Sequence, residues 1–159
     1  MPSPFAAPTP EQHAELIAEI GPLPITGAAW PGWVKVFAWI VVAVMAIQIA
    51  RTLGMQDAAV TLTTMGLIVL FCFFGLAVVA FYMQRSVTTI NAQGLQQTWI
   101  MRREVAWSEI QFAKFVPLLA SKRLVVFTKR GRPLVFQGST RELQVAFAKI
   151  SLLYRRKSH

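Results

Sequence analysis

Met65-Gly-Leu-Ile-Val-Leu-Phe-Cys-Phe-Phe-Gly-Leu-Ala-Val-Val-Ala-Phe-Tyr-Met83 is the stretch that decides the class of this chain. It lies within a longer run, Ala58 to Gln84, of 27 consecutive positions without Asp, Glu, Lys or Arg. About 20 apolar residues in a helix cross a hydrocarbon layer about 30 Å thick. A chain of 159 residues has no core large enough to surround such a helix on all sides. The run is therefore read as a membrane-spanning helix over about residues 60–83.

A second span precedes it. Trp33 to Leu53 is apolar, with Lys35 and Arg51 near its ends and Val36 to Ala50 uncharged between them. Long cationic side chains at such positions reach the headgroups, and amphipathic aromatics favour the interface. Trp30, Trp33, Lys35 and Arg51 are thus candidate interface anchors of this span, and Tyr82 and Arg85 of the next. The link Gly54-Met-Gln-Asp57 is short, so the spans form an antiparallel helical hairpin with both flanks on one side. Ala43, Ala46 and Ala50 share one face of the first span, and Gly75 offers a flat spot on the second. Small residues permit close approach, within the hairpin or between copies in a homo-oligomer. The polar residues in or near the spans are Gln48, Thr61, Thr63 and Thr64. None ionises, which argues against a proton-coupled pump.

Charge orients the hairpin. Residues 1–83 carry Lys35 and Arg51 against Glu11, Glu15, Glu19 and Asp57, a sum of −2. Residues 84–159 carry 14 Lys and Arg against Glu104, Glu109 and Glu142, a sum of +11. Arg85, Arg102 and Arg103 follow the second span closely, whereas the link has only Arg51. The positive-inside rule then places both termini in the cytoplasm of a bacterial inner (plasma) membrane. The start of the chain lacks a basic segment before an apolar run, so no cleavable signal peptide is expected there. Cys72 is the one cysteine, and no internal disulfide is possible.

Three regions follow: an N-terminal tail (1–29), the hairpin (30–85) and a cytoplasmic domain (86–159). In the tail, Thr9-Pro10-Glu11 opens a short helix over about 10–20, with a Thr cap, Pro at its first position and acid in its first turn. Leu16, Ile17 and Ile20 line one side, and Gly21-Pro22 stops it. Its acidic residues favour packing on the basic domain over lying on the bilayer.

After Arg85 the pattern changes to period-two segments and turns. Strands are read at Val87–Ile90, Leu95–Met101, Val105–Trp107, Gln111–Val116, Arg123–Thr128 and Pro133–Gln137. Asn91-Ala-Gln-Gly94 and Lys129-Arg-Gly-Arg132 are turns, and Arg102-Arg103-Glu104 is a polar bend. Ser139-Thr140 opens a C-terminal helix whose apolar positions are Leu143, Phe147, Ile150 and Tyr154. The fold class is a membrane helical hairpin plus an α+β domain, a small antiparallel sheet covered by an amphipathic helix.

A helical hairpin, then strands with a Val105-Ala-Trp-Ser-Glu-Ile110 step, paired apolar strands and a terminal helix resembles the bacterial PH-like membrane proteins. The resemblance spans residues 30–157. It implies a small, partly open β-barrel capped by a helix, and residues 86–159 are short for that fold, with a strand missing or reduced. Eukaryotic phosphoinositide-binding relatives use basic residues around their first hairpin. Here that hairpin, Asn91–Gly94, has no Lys or Arg, so no ligand residues carry over.

The basic residues group as Arg102 and Arg103, Lys122 and Arg123, and Lys129, Arg130 and Arg132, with Arg155–Lys157 at the end. Together with the apolar loop Pro117-Leu118-Leu119-Ala120 they are candidate contacts for anionic headgroups or for a partner. Enzymatic chemistry has little support. His13 and His159 lie apart, Cys72 is mid-span, and no metal-ligand spacing or phosphate-cradling loop occurs. Glu109 reads as a structural turn residue. Trp107 and the strand phenylalanines could stack bases, but their alternation points to a core, so nucleic acid is not an expected partner. No cofactor is implied. The expected partners are the lipid bilayer and a protein, either a different subunit or further copies. The leading expectation is a non-catalytic accessory subunit of a membrane assembly. Alternatives are an anionic-lipid-sensing module and a small homo-oligomeric channel or transporter.

Overall fold

The computed structural model describes residues 8–55, 63–119 and 121–155. Helix α1 (Pro10–Ile20) opens as its sequence dictates. The Thr9 hydroxyl accepts from the Gln12 N–H at 3.3 Å, and Gln12 Oε1 accepts from the Thr9 N–H at 3.1 Å. This reciprocal box satisfies two amides that a helix start leaves unpaired. Leu16 is buried, and α1 packs on helix α4 (Arg141–Leu153) rather than standing alone. Lys149 Nζ donates to the Glu19 carbonyl at 2.5 Å. The cation thus meets the end of the helix backbone, not the acidic side chains that the charge pattern pointed to.

Between α1 and the first apolar helix lies a strand that local pattern does not reveal, β1 (Ile25–Ala28). It is four residues long and follows Gly21-Pro22-Leu23-Pro24. Its partner is β2 (Val87–Ile90), in antiparallel register from Ile25↔Ile90 to Ala28↔Val87. The segment expected to be a tail thus contributes Pro10–Ile20 and Ile25–Ala28 to a folded unit. The chain forms two compact units: Gly32–Gln84, and a unit built from both flanks, Met1–Pro31 with Arg85–His159.

In the flanking unit, β1, β2, β3 (Gly94–Thr98) and β4 (Arg103–Ala106) form one antiparallel sheet in sequence order. A short 3-10 turn, Trp107–Glu109, leads into a second sheet of β5 (Ile110–Pro117), β6 (Lys122–Thr128) and β7 (Pro133–Gly138). The expected small antiparallel sheet is present as two sheets, and among the described residues they do not close into a barrel. The expected strand Leu95–Met101 stops at Thr98, and Arg103 and Glu104 belong to β4 rather than to a bend.

Alternation sets the core. Ile90, Leu95 and Val105 are register neighbours facing inward, and Leu124, Val126 and Phe136 do the same in the second sheet. Helix α4 covers them with Leu143, Phe147, Ile150 and Tyr154, the positions its spacing selects. Gly138 allows that approach, because a Cβ there would lie 2.8 Å from the Phe147 ring.

The other unit holds α2 (Gly32–Met55) and α3 (Thr64–Arg85, its last residue belonging to the flanking unit). Both are long and apolar enough to cross a membrane, and only 6% of each candidate span is buried. A core helix of a soluble protein would be mostly buried. Lys35 Nζ donates to the Gln84 carbonyl at 3.3 Å, so the start of α2 meets the end of α3, as in an antiparallel hairpin. Within the described part of the hairpin, Gly75 does not take up the expected small-residue contact. Ala43, Ala50 and Gly75 are exposed, and a Cβ on Gly75 would meet nothing within 4 Å. Gly54 and Met55 of the expected link belong to the end of α2, and residues 56–62, which include the rest of the link and the predicted start of the second span, lie outside the described residues.

Candidate functional site

Antiparallel register places Ala28, Val87, Thr98 and Arg103 together at one end of the first sheet. The chain leaves the flanking unit at this end, through Ala29–Pro31 toward α2, and returns through Arg85 and Ser86. The Ala29 N–H donates to the Ser86 carbonyl at 3.2 Å, which continues the β1–β2 pairing beyond the strands. Both residues are buried.

The β3–β4 loop, Trp99–Arg102, sits at the same end. The Trp99 ring lies 6.4 Å from that of Trp30, and the Arg103 guanidinium lies 5.8 Å from the Trp99 ring. Ile100 is 52% exposed and Met101 76%. Arg102 pairs with Glu104 at 3.4 Å and donates to Gln96 Oε1 at 3.3 Å. Both charged groups of this pair are largely in solvent, so it contributes at most about 1 kcal/mol and leaves Arg102 available.

Arg103 differs. Thr88, Gln97 and Arg103 are register neighbours on β2, β3 and β4, and each reaches the backbone of β7. Thr88 Oγ1 donates to the Gln137 carbonyl, the Gln137 N–H donates to Gln97 Oε1 at 3.3 Å, and Arg103 Nη1 donates to the Val135 carbonyl at 3.1 Å. This polar row closes the outer edge of β7 and joins the two sheets. Arg103 is thus engaged inside the fold, not presented as a free surface cation.

The remaining predicted contacts separate. Leu118 and Leu119 are exposed in the β5–β6 turn, and Lys122 and Arg123 are half-buried beside it. Ala120 lies outside the described residues. Lys129, Arg130 and Arg132 are exposed in the β6–β7 turn. Arg130 pairs with Glu109 at 3.1 Å. The two turns cap opposite ends of β6, about 20 Å apart at 3.3–3.4 Å per residue. The basic groups therefore do not merge into one patch. Arg155 is exposed, and residues 156 and 157 lie outside the described part. Among the expected anchors, Trp30 packs on Trp99, Lys35 caps the end of α3, Tyr82 stands edge-on to Phe81, and Trp33, Arg51 and Arg85 are exposed.

The Trp107 step is structural. Trp107 is buried, its Nε1–H donates to the Asn91 carbonyl at 3.1 Å, and its backbone N–H donates to the Gln93 carbonyl at 3.2 Å. Its ring lies near-parallel to Tyr154 at 6.4 Å and takes His13 of α1 edge-on at 5.1 Å. Burial pushes the Tyr154 phenol up to about 12. One indole thus ties together the β2–β3 hairpin, the end of α4 and α1. Glu109 accepts the Lys129 N–H at its carbonyl, as a turn residue does. Gly94 is needed beside it, since a Cβ there would run into the Val105 carbonyl.

Sequence reasoning missed Ile100 and Met101, which it placed at the end of a strand. The available signal was an aromatic and two apolar residues running straight into Arg102. Among the described residues, no three of His, Cys, Asp and Glu gather where they could hold a metal ion. No family model matches this chain, no curated protein is similar to it, and no solved structure is similar to it.

Proposed function

We propose that the chain is an integral protein of a bacterial inner membrane with both termini in the cytoplasm. Its flanking unit serves as a non-catalytic, PH-like docking module, an accessory subunit of a membrane assembly. The observation that carries this reading is the Ala29–Ser86 bond, which closes one folded unit across the two apolar helices. Connections of Ala29–Pro31 on one side and Ser86 on the other keep such a unit at the bilayer, so lipid affinity is not needed for its recruitment. Seven antiparallel strands in groups of four and three, followed by a helix, support the PH-like assignment. Ile25–Ala28 adds the fourth strand to the first sheet.

Docking favours a sheet face over a sheet edge. The polar row closes the edge of β7. The edge of β5 is closed at Ala113, whose N–H donates to the Tyr154 carbonyl, and it ends at Pro117, which has no N–H. The outer face of the second sheet is open: Phe112 and Phe127 pack at 5.4 Å, Val116, Val125 and Val135 are half-buried, and Lys114 is exposed. Its fitting partner is a protein surface with an apolar centre and an acidic rim that meets Lys114 and Arg123. Extraction of the native protein in mild detergent tests the proposal. A stoichiometric co-purifying protein is the expected result, and recovery of the chain alone contradicts it.

A further inference from the structure

We propose that the β3–β4 loop is a membrane-seating loop: Ile100 and Met101 enter the interfacial layer of the bilayer and Arg102 meets anionic headgroup phosphates. The inference rests on the reading of α2 and α3 as membrane spans.

Three observations converge on this loop. It lies at the end of the first sheet through which the chain passes to and from both apolar helices, as the Trp30–Trp99 contact and the Ala29–Ser86 bond establish within the unit itself. Pro31 and Gly32 are adjacent in the chain, as are Gln84 and Arg85, so no linker separates this end of the unit from the apolar segment. The loop presents its apolar tip, with Met101 76% exposed, uncovered by the described residues of the flanking unit. Two adjacent exposed apolar residues in water raise the free energy of the folded state, whereas at a bilayer they become an anchor. The loop's chemistry matches that interface: an aromatic pair behind, aliphatic side chains in front and a largely solvated guanidinium alongside. Arg102 is held only by the exposed Glu104 pair and by Gln96, which a phosphate can replace. Arg103, bound to Val135, stays in the fold and fixes the root of the loop.

The test uses the full chain in vesicles of phosphatidylethanolamine and phosphatidylglycerol, with an environment-sensitive fluorophore on one cysteine. Natural Cys72, exposed in α3, is one site, and Met101→Cys in a Cys72→Ala background is the other. Ile100→Cys is a second loop site should Met101→Cys misfold. Spin-labelled lipids quench either near the headgroup or deep in the acyl region. The expected result is deep quenching at Cys72, together with a blue-shifted spectrum and shallow quenching at position 101. Arg102→Glu should then lower the seated-to-free ratio of the loop roughly fivefold. Quenching at Cys72 with a water-like, unquenched probe at 101 overturns the inference and leaves the membrane reading standing. A blue-shifted but unquenched probe at 101 means another polypeptide covers the loop, which also overturns it. Loss of deep quenching at Cys72 removes the membrane reading and the inference with it.

Discussion

The Ala29 amide and the Ser86 carbonyl, 3.2 Å apart, join the two ends of an apolar insertion. Between them run both membrane-length helices, yet the bond extends the β1–β2 pairing of a single sheet. The insertion is thus topologically a very long β-hairpin loop. Replacing residues 32–84 by a short turn should leave a soluble, cooperatively unfolding monomer. Residues 86–159 alone, lacking β1 and Leu16, should not fold. Circular dichroism and urea melts of the two proteins check this, and a soluble, cooperative 86–159 would sink it.

Arg102 and Arg103 should part company on mutation. Arg103→Leu leaves the Val135 carbonyl without its donor and should cost about 1–3 kcal/mol. Arg102→Ala should change stability by no more than about 0.5 kcal/mol, as for an exposed pair. Urea denaturation of the turn-joined protein separates the two, and equal losses would show that Arg103 has no special structural part.

Tyr154 gives a pH signature. Its phenol is pushed from 10.0 to about 12 by burial. The unfolded chain therefore ionises first as pH rises. The stability that Tyr154 supplies is complete below pH 10 and is lost between 10 and about 12. Ultraviolet titration should show the Tyr154 phenolate forming near 12, and Tyr154→Phe should flatten the alkaline fall in stability. A Tyr154 midpoint near 10 would contradict the buried placement against Trp107.

Phe127→Ser should leave the melt of the flanking unit nearly unchanged, because this ring is 38% exposed. It should reduce retention of a co-purifying partner by tenfold or more, roughly the loss of one central apolar contact. Undiminished retention would move docking away from this sheet face.

Much of this was legible in sequence because the signals are local. The uncharged stretch Met65–Gln84, the Thr9-Pro10-Glu11 helix opening, the Lys129–Arg132 turn and the spacing of Leu143, Phe147 and Ile150 are each read from a few neighbouring residues. What stayed hidden is non-local. Strand β1 has four residues and a partner beyond two helices, so no window contains its pairing. Arg103 looks like Arg102 until β7 is brought across the first sheet to receive it. The charges at Lys122 and Lys129 look like neighbours until a seven-residue strand sets them at opposite ends. The small-residue face of Ala43, Ala46 and Ala50 fits helix packing by type, but side chains of the partner helix decide such contacts, and Gly75 does not meet it.

The most direct test of the central claim is a disulfide between β1 and β2 in the full chain. Thr26 and Thr89 are register partners with hydroxyls 3.4 Å apart. Thr26→Cys with Thr89→Cys, in a Cys72→Ala background, should cross-link within one chain on mild oxidation of intact membranes. Failure to cross-link while both cysteines react with a thiol reagent would show that the unit does not close across the apolar helices.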